Sequence, residues 1–252
     1  MEKIVDNQYY DAAIEANMAV VLLKTRAFDL ITSVPDSDEL MEFIRDAEHN
    51  PKVKALMLLN EPDCLGEKVY DEFIRSILKS DQNSENNDVP AFLQKNTRFR
   101  QIINLNKLIR YLAGYQKLVV VGVSSTIVTP FMGVALVADL RLASPKGCFA
   151  LAHTRYGLHP SGAIPFFLTH YLGHSKALEV QLSERVCAEE AFRMGIVNQI
   201  LPSEEFYSNC IRFVQPYLKH CRSTLAMTKR LNNFKNRWLQ EYLDHETSLM
   251  NL

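Results

Sequence analysis

Near-continuous apolar runs alternate along this chain with segments whose apolar residues fall at helical spacing. Ala19–Leu23, Val53–Leu59 and Leu118–Val123 are strand-sized and rich in β-branched residues. Apolar runs without alternation belong to strands buried on both faces, as in parallel sheets. Between the first two, Asp38–Ala47 carries Leu40, Phe43 and Ile44 at helical spacing after an Asp/Ser cluster able to cap, giving a strand–helix–strand unit. The same reading predicts strands at Asp139–Ala143 and Cys148–Leu151 and a helix over Phe99–Leu112. It predicts three more helices after Ser203, at Phe206–Leu218, Ser223–Phe234 and Trp238–Leu249. Ser80–Asn96 is rich in Asn, Asp and Ser and holds Pro90, so it reads as a surface loop inside one domain. The expected organisation is an α/β core over residues 1–202 and a helical region over residues 203–252, with no internal repeat.

Composition narrows the partners. The chain has 252 residues, 47% of them apolar, enough for one sizeable core. Its formal charge is −1 with no long basic run, which argues against nucleic acid, since phosphate binding needs clustered Lys and Arg. The longest apolar runs are far too short to span a bilayer, so no membrane partner is expected. Met1–Asp6 mixes charges of both signs and shows no secretory signal. The five cysteines are Cys64, Cys148, Cys187, Cys210 and Cys221, with no CxxC pair and no zinc spacing. Their odd number implies reduced thiols and a cytoplasmic location, and no metal centre is expected.

Five blocks then resemble one known family in order and spacing. KLVVVGVSS (Lys117–Ser125) is followed by GVALVADLRLAS (Gly133–Ser144) and by FALAHTRYGLHPSGAIPFFLTHYLG (Phe149–Gly173). AEEAFRMGIVNQIL (Ala188–Leu201) and the Lys-bearing STLAMTKRL (Ser223–Leu231) complete the series. Together they resemble the crotonase superfamily, the enoyl-CoA hydratases and isomerases. The resemblance implies an α/β crotonase-type fold (ClpP/crotonase-like) of repeated ββα units, with a C-terminal helical region that assembles trimers, often hexamers. It implies a ligand that is a thioester of coenzyme A or of a carrier protein, with no prosthetic group. It also implies two backbone N–H groups that stabilise an enolate or tetrahedral oxyanion.

The implied site is altered. DCLGEKV (Asp63–Val69) aligns with the first donor loop and puts that N–H on Glu67, with Leu65 and Gly66 beside the thioester. The second donor falls on Thr129–Pro130–Phe131, with Pro130 in the donor place, and proline has no N–H. Thr129 as N-cap and Pro130 at the first helical position would make a stable helix start, and Phe131 or Met132 would offer a substitute donor. One lost donor of this kind typically costs about a hundred- to thousandfold in rate. The two hydratase glutamates map onto Gly133, which cannot transfer a proton, and onto His153, whose imidazole suits acid/base work at neutral pH. Tyr156, His159, Asp71 and Glu72 are weaker candidates, and Lys24 and Arg26 stand where phosphates of coenzyme A would be met. Two functions follow: isomerase-, lyase- or hydratase-type enolate chemistry at an altered site, or a catalytically inactive homologue with a binding or structural role. A serine hydrolase is disfavoured, because no GxSxG is present.

Overall fold

The computed structural model describes residues 3–77 and 95–249. The chain enters through three antiparallel neighbours, β1 (Lys3–Asp6), β2 (Tyr10–Glu15) and β3 (Met18–Leu23). It crosses through α1 (Ala27–Leu30) and α2 (Val34–His49) to β4 (Ala55–Asn60), which runs parallel to β3. Helices α3 (Glu67–Ile77) and α4 (Lys95–Gly114) precede β5 (Leu118–Val123), again parallel. Two ββα units follow. The first is β5, β6 (Thr126–Val128) and α5 (Phe131–Val137); the second is β7 (Leu140–Ala143), β8 (Cys148–Ala150) and α6 (Ile164–Leu172). After α7 (His174–Leu182) come β9 (Arg185–Cys187), α8 (Ala188–Arg193) and β10 (Gln199–Ile200). Helices α9 (Phe206–Val214), α10 (Arg222–Asn232) and α11 (Leu239–Ser248) complete the chain. The main sheet has the order β1-β2-β3-β4-β5-β7-β10, and β6, β8 and β9 form a second, small sheet.

The unbroken apolar runs are explained by two cores, one on each face of the main sheet. All six residues of β4 are buried. Leu56 and Leu58 enter the larger core beside α2, α4 and α5, while Ala55, Met57 and Leu59 enter a smaller one closed by Phe206, Cys210 and Val214 of α9. A strand with period-two side chains facing two apolar layers has no face left for polar residues. Helix α10 buries none of its residues. It is tied to the sheet by Lys229, whose Nζ meets Asp139 Oδ2 at 2.7 Å and the Lys117 carbonyl at 2.9 Å. Asp139 also accepts the Val119 N–H at 2.7 Å, so one carboxylate joins α10 to β5.

Several boundaries differ from expectation. Helix α2 starts at Val34, four residues before the predicted Asp38, because Ser33 precedes a first turn containing Pro35 and the Ser37 N–H reaches the Ser33 carbonyl at 3.1 Å. Val53 lies in a turn, its N–H on the Asn50 carbonyl at 3.1 Å, and β4 begins two residues later. Residues 80–94 of the predicted loop lie outside the described residues; its last two, Lys95 and Asn96, open α4. The expectation of wholly reduced thiols is corrected, since Cys148 and Cys187 are bonded. The antiparallel register of β8 and β9 places them directly opposite each other. No helix among the described residues is long and apolar enough to cross a membrane, and none of their His, Cys, Asp and Glu side chains cluster as a metal site.

Candidate active site

At the carboxyl end of β4 the chain turns sharply into α3. Asp63 takes a left-handed φ of 61°, tolerated by its short polar side chain. Its N–H is held by Ser125 Oγ at 2.8 Å, and its carbonyl accepts the Gly66 N–H at 3.0 Å. The Leu65 carbonyl accepts the Val128 N–H at 3.0 Å, which pins this turn to β6. Glu67 is therefore the first residue of α3, where the alignment puts the first donor. Among the described residues its N–H donates to no backbone carbonyl outside its own helix. First-turn N–H groups have no intrahelical acceptor and sit at the positive end of the helix, so they suit a developing oxyanion.

Side chains around this turn form an ionic frame. The Glu67 carboxylate accepts from Arg155 at 2.5 Å and from Arg185 at 2.6 Å. The Tyr156 hydroxyl donates to Asp71 Oδ1 at 2.5 Å; burial and then Asp71 push its pKa up to about 12. Glu72 is exposed.

Helix α5 begins beside this frame. Phe131 is its first residue and Pro130 stands in the N-cap place. The predicted Thr129 cap is not made: the Thr129 N–H is tied to the Ala150 carbonyl at 3.1 Å, and its buried Oγ1 has no partner among the described residues. Phe131 thus supplies the first N–H after proline. Its ring meets Phe28 edge-on at 5.3 Å, Phe28 packs on Tyr70 at 5.4 Å and Phe73 at 5.5 Å, and Tyr70 meets Tyr156 at 6.1 Å. These rings bridge the first turns of α3 and α5. An open cleft of about 460 Å³ reaches from this turn, at Pro62, Asp63 and Ser125, to Phe206 and Tyr207 of the α9 layer.

Position 133 is closed by backbone. A Cβ on Gly133 would lie 1.9 Å from the Gly162 carbonyl oxygen, far inside contact distance. Gly162 has φ +83°, and a Cβ on it would lie 2.9 Å from the Pro130 carbonyl. The two glycines permit a close approach that leaves no room for a glutamate at 133. Glu246, from α11, holds the other side of this loop: its carboxylate accepts the Gly162 N–H at 2.8 Å and the Ala163 N–H at 2.9 Å.

His153 lies in a 3-10 turn, Ala152–Tyr156, and is 4% exposed. Its Nδ1 has no partner among the described residues, and the ring faces the backbone of Gln181 at the end of α7. Burial lowers its pKa to about 4, so the ring is neutral at pH 7. His159 is also lowered by burial and has Nδ1 3.4 Å from the Pro160 carbonyl. Lys24 meets Asp6 at 2.8 Å and Asp11 at 2.5 Å, while Arg26 meets Asp29 at 2.7 Å and Gln8 at 2.6 Å. Both cations are already matched inside the chain.

Sequence reasoning did not single out Arg155, Arg185 or Glu246. Only the last left a signal: Leu239, Leu243 and Glu246 share one helical face, which places a carboxylate in an apolar stripe.

The ββα units and the helix that starts at the carboxyl end of the central strand β4 define an α/β class of protein. The chain belongs to the enoyl-CoA hydratase/isomerase family, whose model matches residues 84–251. It is 30% identical over 128 residues to a probable enoyl-CoA hydratase, EchA12, of Mycobacterium tuberculosis, covering 50% of this chain and 45% of that one. It is 23% identical over 184 residues to 4-chlorobenzoyl coenzyme A dehalogenase-2 of an Arthrobacter species, covering 69% of this chain and 66% of the relative. The chain thus spans less than half the length of the first relative in the match. Among solved structures, an enoyl-CoA hydratase from Bacillus halodurans superposes with a TM-score of 0.76 at 19% identity, covering 95% of this chain and 92% of that one. One from Mycobacterium avium subsp. paratuberculosis gives 0.74 at 21% identity, covering 97% and 93%. These likenesses bear out the crotonase fold.

Proposed function

We propose that the chain acts on an acyl thioester, of coenzyme A or of a carrier protein, by enolate-type chemistry without paired glutamates. The observation that carries this reading is the Asp63–Glu67 turn, which presents the Glu67 N–H at the start of α3. The Phe131 N–H is the proposed second donor, displaced by one residue from the proline. Isomerisation or decarboxylation suits this site better than hydration, because Gly133 has no space for a side chain and His153 is neutral and turned toward Gln181. Lys24 and Arg26 are the proposed phosphate contacts, and a phosphate would have to displace their carboxylate partners. No prosthetic group is needed.

Equilibrium titration with butyryl-CoA, together with crotonyl-CoA hydration, tests this. Saturable binding with hydration far below that of a two-glutamate hydratase is expected. Failure to bind any CoA or carrier thioester overturns the proposal, and brisk hydration overturns the assignment of positions 133 and 153. One observation favours the second reading, a homologue that binds without turnover: Phe28, Tyr70 and Phe131 are each 3% exposed or less, so the wall beside both donors is closed.

We further infer that residues 203–252 join copies of the chain into a trimer or hexamer. Met227, Leu231, Phe234 and Trp238, on α10 and the 3-10 turn after it, are all more than half exposed, at 62, 77, 64 and 54%. Such a group of bare apolar side chains is unusual on a monomer.

A further inference from the structure

We propose that Glu246 supplies the carboxylate that position 133 has lost, brought in by the C-terminal helix α11 instead of α5. This rests on the enolate reading above and names its proton acceptor.

The loop that fills the space of a residue-133 side chain is the loop Glu246 holds, with the Gly162 carbonyl toward Gly133 and the Gly162 N–H toward Glu246. The backbone of Gly162, from its carbonyl oxygen to its nitrogen, separates the two positions. Given ordinary bond lengths, the Glu246 carboxylate lies within about 7 Å of where a residue-133 Cβ would be. Apart from Asp11, Glu246 is the one buried carboxylate among the described residues, at 3% exposure. Capping α6 does not by itself call for a carboxylate, because a neutral Ser or Asn oxygen serves that purpose and burying a charge is costly.

The surroundings suit a group that exchanges a proton. Arg98 of α4 faces Glu246 and also the Tyr70 hydroxyl of α3 and Gln101, the last at 2.7 Å. Tyr242 lies on the same helix as Glu246, and His159 faces Arg98 from the loop before Gly162. Burial raises the Glu246 pKa to about 7, against the two N–H donors and Arg98, which pull it down. Perturbed carboxylates of this kind concentrate at functional sites.

In the proposed step the Cα–H bond of the bound thioester breaks and the proton passes to the Glu246 carboxylate. The electron pair moves onto the thioester oxygen, where the Glu67 N–H holds it. Protonated Glu246 exchanges its proton with solvent and delivers a solvent-derived one to Cα as the electron pair returns from the oxygen, which regenerates the carboxylate and closes the cycle without any other reactant.

The test is α-proton exchange of butyryl-CoA in deuterated buffer, followed by proton NMR, on the wild-type protein, Glu246→Gln and Glu246→Asp. Exchange that rises through about pH 7 and falls about a hundredfold or more in Glu246→Gln is expected, with butyryl-CoA binding retained and partial activity in Glu246→Asp. Wild-type exchange rates in a folded Glu246→Gln overturn this inference alone. A wild-type protein that binds the thioester but exchanges no α-proton overturns both this inference and the turnover reading. Should both variants fail to fold, carbon-13 NMR of the glutamate carboxyls in the wild-type protein decides. A raised carboxyl titrating in step with exchange supports Glu246, and exchange with no such carboxyl overturns it.

Discussion

Replacing His153 separates a structural imidazole from a chemical one. The ring is 4% exposed, and its pKa is about 4, against an ordinary value of 6.5. Above pH 6.5 the ring is neutral in both the folded and the unfolded chain, so protonation costs nothing. As pH falls from 6.5 to 4, the unfolded chain takes up a proton that the folded one refuses, and stability is lost across that window. The full gap corresponds to about 3 kcal/mol. His153→Ala removes this liability together with the packing of the ring. At neutral pH the substitution should cost about 3 kcal/mol, from the cavity left by a fully packed ring. For a chain of this size that lowers Tm by roughly 6–12 °C.

The two effects oppose each other as the solution is acidified. At about pH 4.5 the wild-type protein has already given up most of its imidazole-linked stability, so the variant should trail it by less than about 1 kcal/mol. Urea unfolding of both proteins at about pH 7 and about pH 4.5 reads this directly, and His153→Gln should fall between them. Titrating groups remote from His153 are common to the two chains and cancel in the comparison; His159, which lies within electrostatic reach of His153, contributes to the difference. An equal deficit at both pH values would refute the neutral, buried assignment. Unchanged stability with altered thioester affinity would place the ring in the ligand pocket instead.

Other consequences are as direct. Gly133→Ala should destabilise the protein by about 3 kcal/mol or more, read by urea unfolding, because the new Cβ meets backbone and not a flexible side chain. Leu231→Glu, at the most exposed of the apolar residues on α10, should shift light scattering from a trimer or hexamer to a smaller species; a wild-type monomer at micromolar concentration would refute the assembly reading. Thiol titration of the denatured, unreduced chain should find three reactive cysteines, Cys64, Cys210 and Cys221, rising to five after reduction. Five without reductant would refute the Cys148–Cys187 bond.

What was legible in the sequence follows from how locally each feature is encoded. Strand β5 matches its prediction residue for residue, because LVVVGV has no polar position to shift its ends and is buried between two cores. Helix α2 was placed correctly but begun late, since Asp36 and Ser37 were read as a cap when they lie inside the first turn. The Asp63–Glu67 turn was legible because its residues, Gly66 among them, are contiguous in sequence. The rest of the site was not, because its determinants are pairs distant along the chain. Gly133 reads as a mere absence until Gly162 is seen against it, and the loss then becomes a steric exclusion. His153 reads as an acid/base candidate by alignment, but its charge state is set by burial against α7, which no local pattern reveals. Glu246 was the most accessible of the missed residues: an acidic side chain three and seven residues along a helical face from Leu243 and Leu239 cannot point to solvent if those leucines are buried. A carboxylate forced inward by its own helix needs partners, and the nearest unsatisfied donors are the N–H groups at the start of another helix. The stripe therefore announces a buried acid, and only the tertiary fold reveals that it faces the loop closing position 133.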